Sequence, residues 1–587
     1  MQSSPTSSVA GQTIGFPYAS FLLGLVDTAN VHPSSDARLG KQQWGFYVQD
    51  NWKVTRKLTL DIGLRYDYST RFKEQYGRSP NFSPATPNPS SGGHPGAVIY
   101  EATCKCEFGK NYPWAFGPRF GLAYQITPKT VLRAGFGIAY TGTPQYNLGG
   151  GAISATTPIG PSPTAGLPIM TLRGGVPLTA AQIAWPNLDV GFYPINSIVG
   201  AGPAQTYDQN SGRPARQYQW SIGLQREVVR NLVVEASYVA NRGIWWTNNT
   251  LVNYNYVSNA ILSANGLSLN NPADLTILSA QLGSAAAGRF QNRVPFAGFP
   301  LTATVAQSLR PFPQFSSGLA GLASPLGDSW YDSLQARVNK RFSHGLDFTY
   351  AFTWAKQLDN FGVGTPAVAT TPDIQNRALA KTLSSLDQPF VSGLGVNYTL
   401  PRWGKNRVLA FAVRDWTVGG FFQYASGTPI PPPAANRTPT LNTLVFQNTN
   451  VQNRVPGVPL FTQDLNCHCF DPSSTFVLNP AAWANPEPGQ FGSGTLYNDY
   501  RYQRRPVENL SIGRMFRIHG ERTTLNIRAE FTNVLNRTEV NNPSVTNPQT
   551  AQTRSANGTT TAGFGFINNT TTAVAPRQGQ IVAQFRF

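Results

Sequence analysis

Residues 58–68, LTLDIGLRYDY, put Leu58, Leu60, Ile62, Leu64, Tyr66 and Tyr68 at every second position, with Thr59, Asp61, Gly63, Arg65 and Asp67 between them. Successive side chains of a strand point to opposite faces, so this segment predicts a strand with one continuous apolar face and one face of charge and glycine. A helix cannot separate residues this way. The pattern recurs along the chain. Phe120, Leu122, Tyr124 and Ile126 alternate with polar or small residues, and Leu132, Ala134, Phe136, Ile138 and Tyr140 do so after Pro128 and Lys129. Further hairpins are predicted from Tyr218–Leu224 into Leu232–Tyr238, from Leu334–Val338 into Leu346–Trp354, and from Leu510–Ile518 into Leu525–Phe531. Phe390–Leu400 is expected to lead through a turn at Pro401 to Lys405 into Trp416–Tyr424, and Ile581, Ala583, Phe585 and Phe587 form the last alternating run.

The connections carry a second constraint. Those near 53–57, 127–130, 226–231, 343–345 and 519–522 are short, whereas those over 69–117, 141–216, 242–329 and 425–504 are long. In an antiparallel meander every second connection emerges at the same end. One end of the sheet should therefore carry tight turns and the other long loops, the asymmetry of outer-membrane barrels. Propellers and sandwiches also alternate, but their strands are shorter and propeller turns recur at a fixed period.

Composition narrows the class. Charged residues make up 13% and aromatic residues 12%, against a usual charged share of about 25%. Few charges with many aromatics disfavour disorder. No apolar stretch approaches the ~20 residues of a membrane-spanning helix, and the mean hydropathy of −0.24 is what alternating strands produce when half their side chains meet water. The short apolar run Phe21 to Val26 has no basic flank, so either the chain stays in the cytoplasm or its export signal is expected upstream of Met1.

The formal charge of +18 is spread through turns, loops and polar strand positions rather than gathered in a stripe, so no nucleic-acid partner is expected. His32, His94, His344, His468 and His519 are dispersed, no metal or phosphate-loop motif occurs, and no enzyme activity, metal site or cofactor is expected. Asp61, Arg65, Asp67, Arg133, Glu235, Arg528 and Glu530 alternate with apolar neighbours and are candidates for an inner, lumen-facing surface. Tyr66, Tyr68, Tyr140, Tyr238, Trp354, Tyr398 and Tyr424 are candidates for an interfacial aromatic girdle.

The segments GFYVQDNWKVTRKLTLDIGLRYDY (Gly45 to Tyr68), GLQREVVRNLVVEASYVANRG (Gly223 to Gly243), SLQARVNKRFSHGLDFTYAFTWAKQLDN (Ser333 to Asn360) and NIRAEFTNVLNRTEV (Asn526 to Val540) resemble the barrels of TonB-dependent outer-membrane receptors, and within them the Oar-like branch. The resemblance spans about Ala19 to Phe587. It implies an all-β antiparallel transmembrane barrel of roughly 22 strands, of which this chain would supply about 14–16. It also implies a plug domain, pulled through a TonB box, that admits an iron chelate, cobalamin, sugar or peptide. No plug or TonB box is found in the sequence, so residues 1–587 are expected to be the barrel domain of a longer receptor, with the plug and first strands missing. Coupling to the TonB complex would then run through that missing plug.

Other implied partners are outer-membrane lipid, the barrel assembly machinery, which would read Phe585 and Phe587, and a ligand of unknown identity. The implied location is the outer membrane of a Gram-negative-type bacterium. There Cys104, Cys106, Cys467 and Cys469 are expected to form disulfides that stiffen outer loops, with three pairings open. The alternatives are a plugless structural or adhesive outer-membrane protein, a non-functional receptor fragment, and a soluble β-rich binding protein.

Overall fold

The computed structural model describes residues 17–31, 39–142, 157–160, 167–179, 206–248, 251–316, 321–360, 377–401, 414–435, 450–467, 469–487, 491–519 and 522–587, with a few isolated positions besides. The dominant feature is a fourteen-stranded antiparallel sheet. Thirteen strands follow one another in chain order: β1 (Gln43–Lys53), β2 (Leu58–Ser69), β3 (Ala115–Thr127), β4 (Thr130–Tyr140), β5 (Arg216–Val229), β6 (Leu232–Thr247), β7 (Pro325–Ser343), β8 (Leu346–Asp359), β9 (Phe390–Thr399), β10 (Trp416–Ala425), β11 (Val507–His519), β12 (Thr523–Thr532) and β13 (Gln578–Arg586). A short strand at Thr382–Leu383 joins the end of β8.

Register turns local alternation into a property of the whole sheet. One row of partners runs Leu60, Leu122, Ala134, Ile222, Tyr238, Leu334, Trp354 and Phe390. The row begins near the turn end of β2 and arrives at the first residue of β9, so the strands climb steadily relative to one another. That stagger is what tilted barrel strands require. Every member of the row lies on the same face, as do the seven aromatics expected in a girdle. The alternate row through Asp61, Gly121, Gly135, Ser221 and Val239 lies on the other.

The tight turns gather at one end. At 344–345 both residues have positive φ, 54° for His344 and 80° for Gly345, the backbone that matches the twist of a two-residue hairpin. A Cβ on Gly345 would stand 2.3 Å from the Thr399 carbonyl oxygen, so only glycine fits. The turn expected at Pro401 to Lys405 falls mostly on residues 402–413, which lie outside the described ones; β9 ends at Thr399 and β10 starts at Trp416.

The two outer strands differ from the rest. Every residue of β1 is exposed, on both faces, and β13 is nearly so. Because thirteen strands form an antiparallel meander, β1 and β13 run in the same direction.

Candidate functional site

The buried hydrophobic core of this chain sits in its long connections, not against its sheet. The connections 70–114 and 248–324 build a first cap. A hairpin of β14 (Pro80–Asn88) and β15 (His94–Tyr100) comes from the first connection. Three short helices, α1 (Asn259–Ala264), α2 (Pro272–Ser279) and α3 (Val305–Ser308), come from the second. Each helix begins where a polar side chain can accept an otherwise unpaired N–H: Ser258 caps α1, Asn271 with Pro272 opens α2, and Thr304 caps α3. Leu262, Leu278, Leu282, Ala287 and Val305 close an apolar core between them.

The two parts of this cap lock together through aromatic and amide contacts. Phe82 packs edge-on to Phe312 and Phe315 at centroid distances of 4.6 and 5.9 Å, and His94 lies 5.1 Å from Phe296. The Gln314 Nε2 donates to the carbonyls of Pro95 and Gly96 at 2.8 Å each. Gly96 has a φ of 105°, and a Cβ there would come within 2.6 Å of the Phe312 ring. Beneath, the buried Asn255 donates to the Phe315 carbonyl at 3.0 Å and accepts from the Phe312 amide at 2.9 Å. Arg310 donates to the Asn255 carbonyl at 2.6 Å, and burial pulls its guanidinium down to about 10.

The connections 426–506 and 533–577 build a second cap. Ile430, Val477, Leu478, Tyr500, Phe564 and Ile567 form its fully buried centre. Desolvation pushes the Tyr500 phenol far above its usual range. The Arg501 guanidinium ties this cap to the β8–β9 connection through Asp387 at 2.6 Å. Phe491, from the same connection as Ile430, packs against the core of the first cap.

At the loop ends of β4 to β6 a third cluster forms. The Arg213 and Arg216 guanidinium groups lie 4.6 and 4.2 Å from the Trp245 ring, and Tyr112 meets that ring edge-on at 5.5 Å. Trp245 sits at a break in register with a φ of 64°, which swings its ring out of strand alternation.

All seven charged residues expected on the inner surface fall on the polar face of the sheet. Asp61 accepts from Gln49 Nε2 at 2.9 Å, and Arg65 forks onto Asp67 with both bonds at 2.8 Å. Arg528 pairs with Glu530 at 2.5 Å, and Gln580 donates to the same carboxylate at 2.6 Å. Glu235 stands between Gln225 and Arg337, and Arg133 between Ala123 and Gly223. These residues are spread from β2 to β12 and do not converge on one point. Phe585 lies on the apolar face and its ring is 6.1 Å from that of Phe587.

Of the three cysteine pairings, the structure holds the local one, Cys104 with Cys106 and Cys467 with Cys469. Each closes a loop with a sequence separation of 2, so neither ties distant parts of the loops together. His468, between the second pair, and His32 lie outside the described residues. Among the described residues no group of three or more potential metal ligands occurs.

Sequence reading missed the amide and arginine hub, in which Gln307 Nε2 donates to the Pro313 and Phe315 carbonyls beside Asn255, Arg310 and Gln314, and it missed the second cap altogether. No helix was expected from the sequence, and the contacts that bury α1, α2 and α3 come from far along the chain.

Solved structures align with this chain at low identity and low TM-score. The outer membrane transporter YddB from Escherichia coli aligns at 10% identity and a TM-score of 0.38, covering 93% of this chain and 45% of that one. FpvA of P. aeruginosa, solved bound to heterologous pyoverdines, aligns at 10% identity and 0.37, covering 94% of this chain and 39% of that one. The FrpB iron transporter from Neisseria meningitidis aligns at 9% identity and 0.37, covering 94% and 46%. This chain thus spans less than half the length of those proteins. No curated protein matches the sequence. Residues 2–580 match the family model described as the outer membrane beta barrel domain, and the chain belongs to that family.

Proposed function

We propose that this chain forms the larger part of the wall and the outer caps of a TonB-dependent receptor of the Oar-like branch. In this reading the caps capture a ligand and the polar face conducts it, with force from the TonB complex applied through a plug. The observation that carries this reading is the pair of caps. Loops that only join strands need no buried core, whereas Leu278, Val477 and Phe564 are each fully buried in loop-built structure. Folded loops at the long-connection end give a ligand a preorganised surface to meet.

Two further observations support it. The polar face carries ion pairs and amide ladders suited to a wet interior, as in Arg65 with Asp67 and Arg528 with Glu530. Since β1 and β13 run the same way, an antiparallel ring built on this wall takes an odd number of further strands. An even-stranded barrel of roughly 22 satisfies that condition.

The test is energy-dependent uptake. Cells carrying the gene with its upstream sequence are supplied with a panel of labelled iron chelates, cobalamin, sugars and peptides. At least one should accumulate, stop accumulating when the proton gradient is collapsed, and no longer bind when residues 251–316 are replaced by a short Gly-Ser linker. Adhesion to surfaces that survives gradient collapse, with no compound taken up, would favour the plugless adhesive protein instead.

A further inference from the structure

We propose that the outer rim of the wall between β8 and β11 holds a phospholipid with an anionic headgroup, bound on the membrane side and independent of any ligand taken up through the caps. The geometry begins with a cavity of about 450 Å³ at the loop ends of these strands. Its floor is Phe352, Phe390 and Tyr424, all on the apolar face. Its roof is Asn466 and Arg504 from the second cap together with Arg537. A second cavity, of about 620 Å³, adjoins the first at Phe390 and is floored by Leu334, Trp354 and Leu383. Both cavities thus rest on apolar-face side chains and meet at Phe390, and the Arg504 and Arg537 guanidinium groups line the first.

That combination selects an amphiphile. An acyl chain replaces apolar contact that water would supply poorly, and a phosphate meets the cations at the depth where headgroups lie. The local acids neutralise Arg537 and leave Arg504 as the uncancelled cation. Glu508 takes both Arg537 bonds, at 2.7 and 3.0 Å, along with the Tyr424 hydroxyl at 2.8 Å. Asp387 is taken by Arg501, and Asp332 accepts from Tyr238 at 2.5 Å. Arg504 donates to Asn466 at 3.3 Å and has no carboxylate within ion-pair distance among the described residues. It is exposed and lines the first cavity, so its guanidinium is open to an anionic group there. Asn466 also accepts from the Arg504 backbone N–H at 2.9 Å, which fixes the stem of that side chain over the cavity.

The experiment uses the full chain in neutral detergent micelles doped with phosphatidylglycerol or phosphatidylcholine, with retained lipid counted by native mass spectrometry at low salt. One phosphatidylglycerol should be retained in preference to phosphatidylcholine. Arg504→Gln should lower that retention about fivefold, the change expected of one basic residue at a lipid surface, and Arg504→Lys should restore most of it. Phe390→Asn should lower retention of both lipids, because it touches the chain and not the headgroup. Equal retention of the two lipids would overturn the proposal. So would unchanged retention in Arg504→Gln while its far-ultraviolet spectrum stays native. Displacement of the lipid by millimolar inorganic phosphate would identify a free-phosphate site and overturn it equally.

Discussion

The wall and the caps bury apolar residues by opposite means. In the wall, Ile222 is 51% exposed and Leu334 44%, yet both belong to a register row that is apolar from end to end. In the caps, Leu278 and Val477 are fully buried although neither belongs to any periodic run. The wall leaves its desolvation to lipid, and its backbone is satisfied strand to strand. The caps stand in water and must desolvate themselves. The difference explains how a chain of average polarity has both an apolar exterior and a buried core, at different heights along one axis.

The largest effect expected from breaking that comparison lies in the second cap. Phe564→Ala removes a fully buried ring and should cost the cap about 3–5 kcal/mol. Proteolysis between residues 450 and 570 should rise sharply, while the heat-resistant band of the folded barrel on gels stays. Loss of that band would show that cap and wall fold as one unit. Next comes the wall itself. Ile222→Arg puts a cation on the lipid side and should cost about 2–4 kcal/mol near the mid-depth of the bilayer. Ser221→Arg, one residue away on the polar face, should change stability by no more than about 0.5 kcal/mol. Urea titration of protein folded into vesicles measures both, and equal costs would refute the assignment of faces.

Nearly all of the wall was legible in sequence because each strand states its face locally. Two-residue alternation in Leu58–Tyr68 or Ile581–Phe587 needs no knowledge of the rest of the chain, and the alternation of long and short connections orients the sheet. The edges of strands were less legible: β7 continues to Pro325, well before the first apolar alternation at Leu334, where Asp328 and Ser329 are held by backbone pairing and by the Arg242 guanidinium from β6. The caps were hardly legible. Phe82 meets Phe315 and Val477 shares a core with Phe564 across long stretches of Pro- and Asn-rich chain, so no window of sequence contains both partners. The candidate polar-face residues could be named from alternation, but their partners could not: Gln580 reaches Glu530 only because β12 and β13 pair in one register.

A smaller effect sharpens the picture inside the first cap. Gln314→Leu keeps the shape of the side chain and removes its two bonds to the Pro95 and Gly96 carbonyls. The Gly96 carbonyl keeps the Asn88 amide, but losing the donor to Pro95 should cost about 1–3 kcal/mol, read as faster amide exchange in His94–Tyr100 with the wall unchanged. Equal acceleration in β5 and β6 would mean that this cap does not open separately.

The smallest effect is a pH dependence at the same junction. Burial against Phe296 holds the His94 imidazole below its ordinary value, so the docked hairpin favours the neutral ring. An undocked His94 takes up its proton near pH ~6.5. The undocked form thus binds more protons, and the stabilisation by docking is complete above that pH and declines as pH falls through it toward the lower folded value. Amide exchange at Ala97 and Val98, corrected for intrinsic rates, should show constant protection from pH 8 to about 7 and a decline from about pH 6.5 downward. His94→Phe keeps the ring contact and cannot take a proton, so its profile should be flat across the same range. A decline that persists in His94→Phe would assign the pH response to another group and leave the aromatic contact as packing alone.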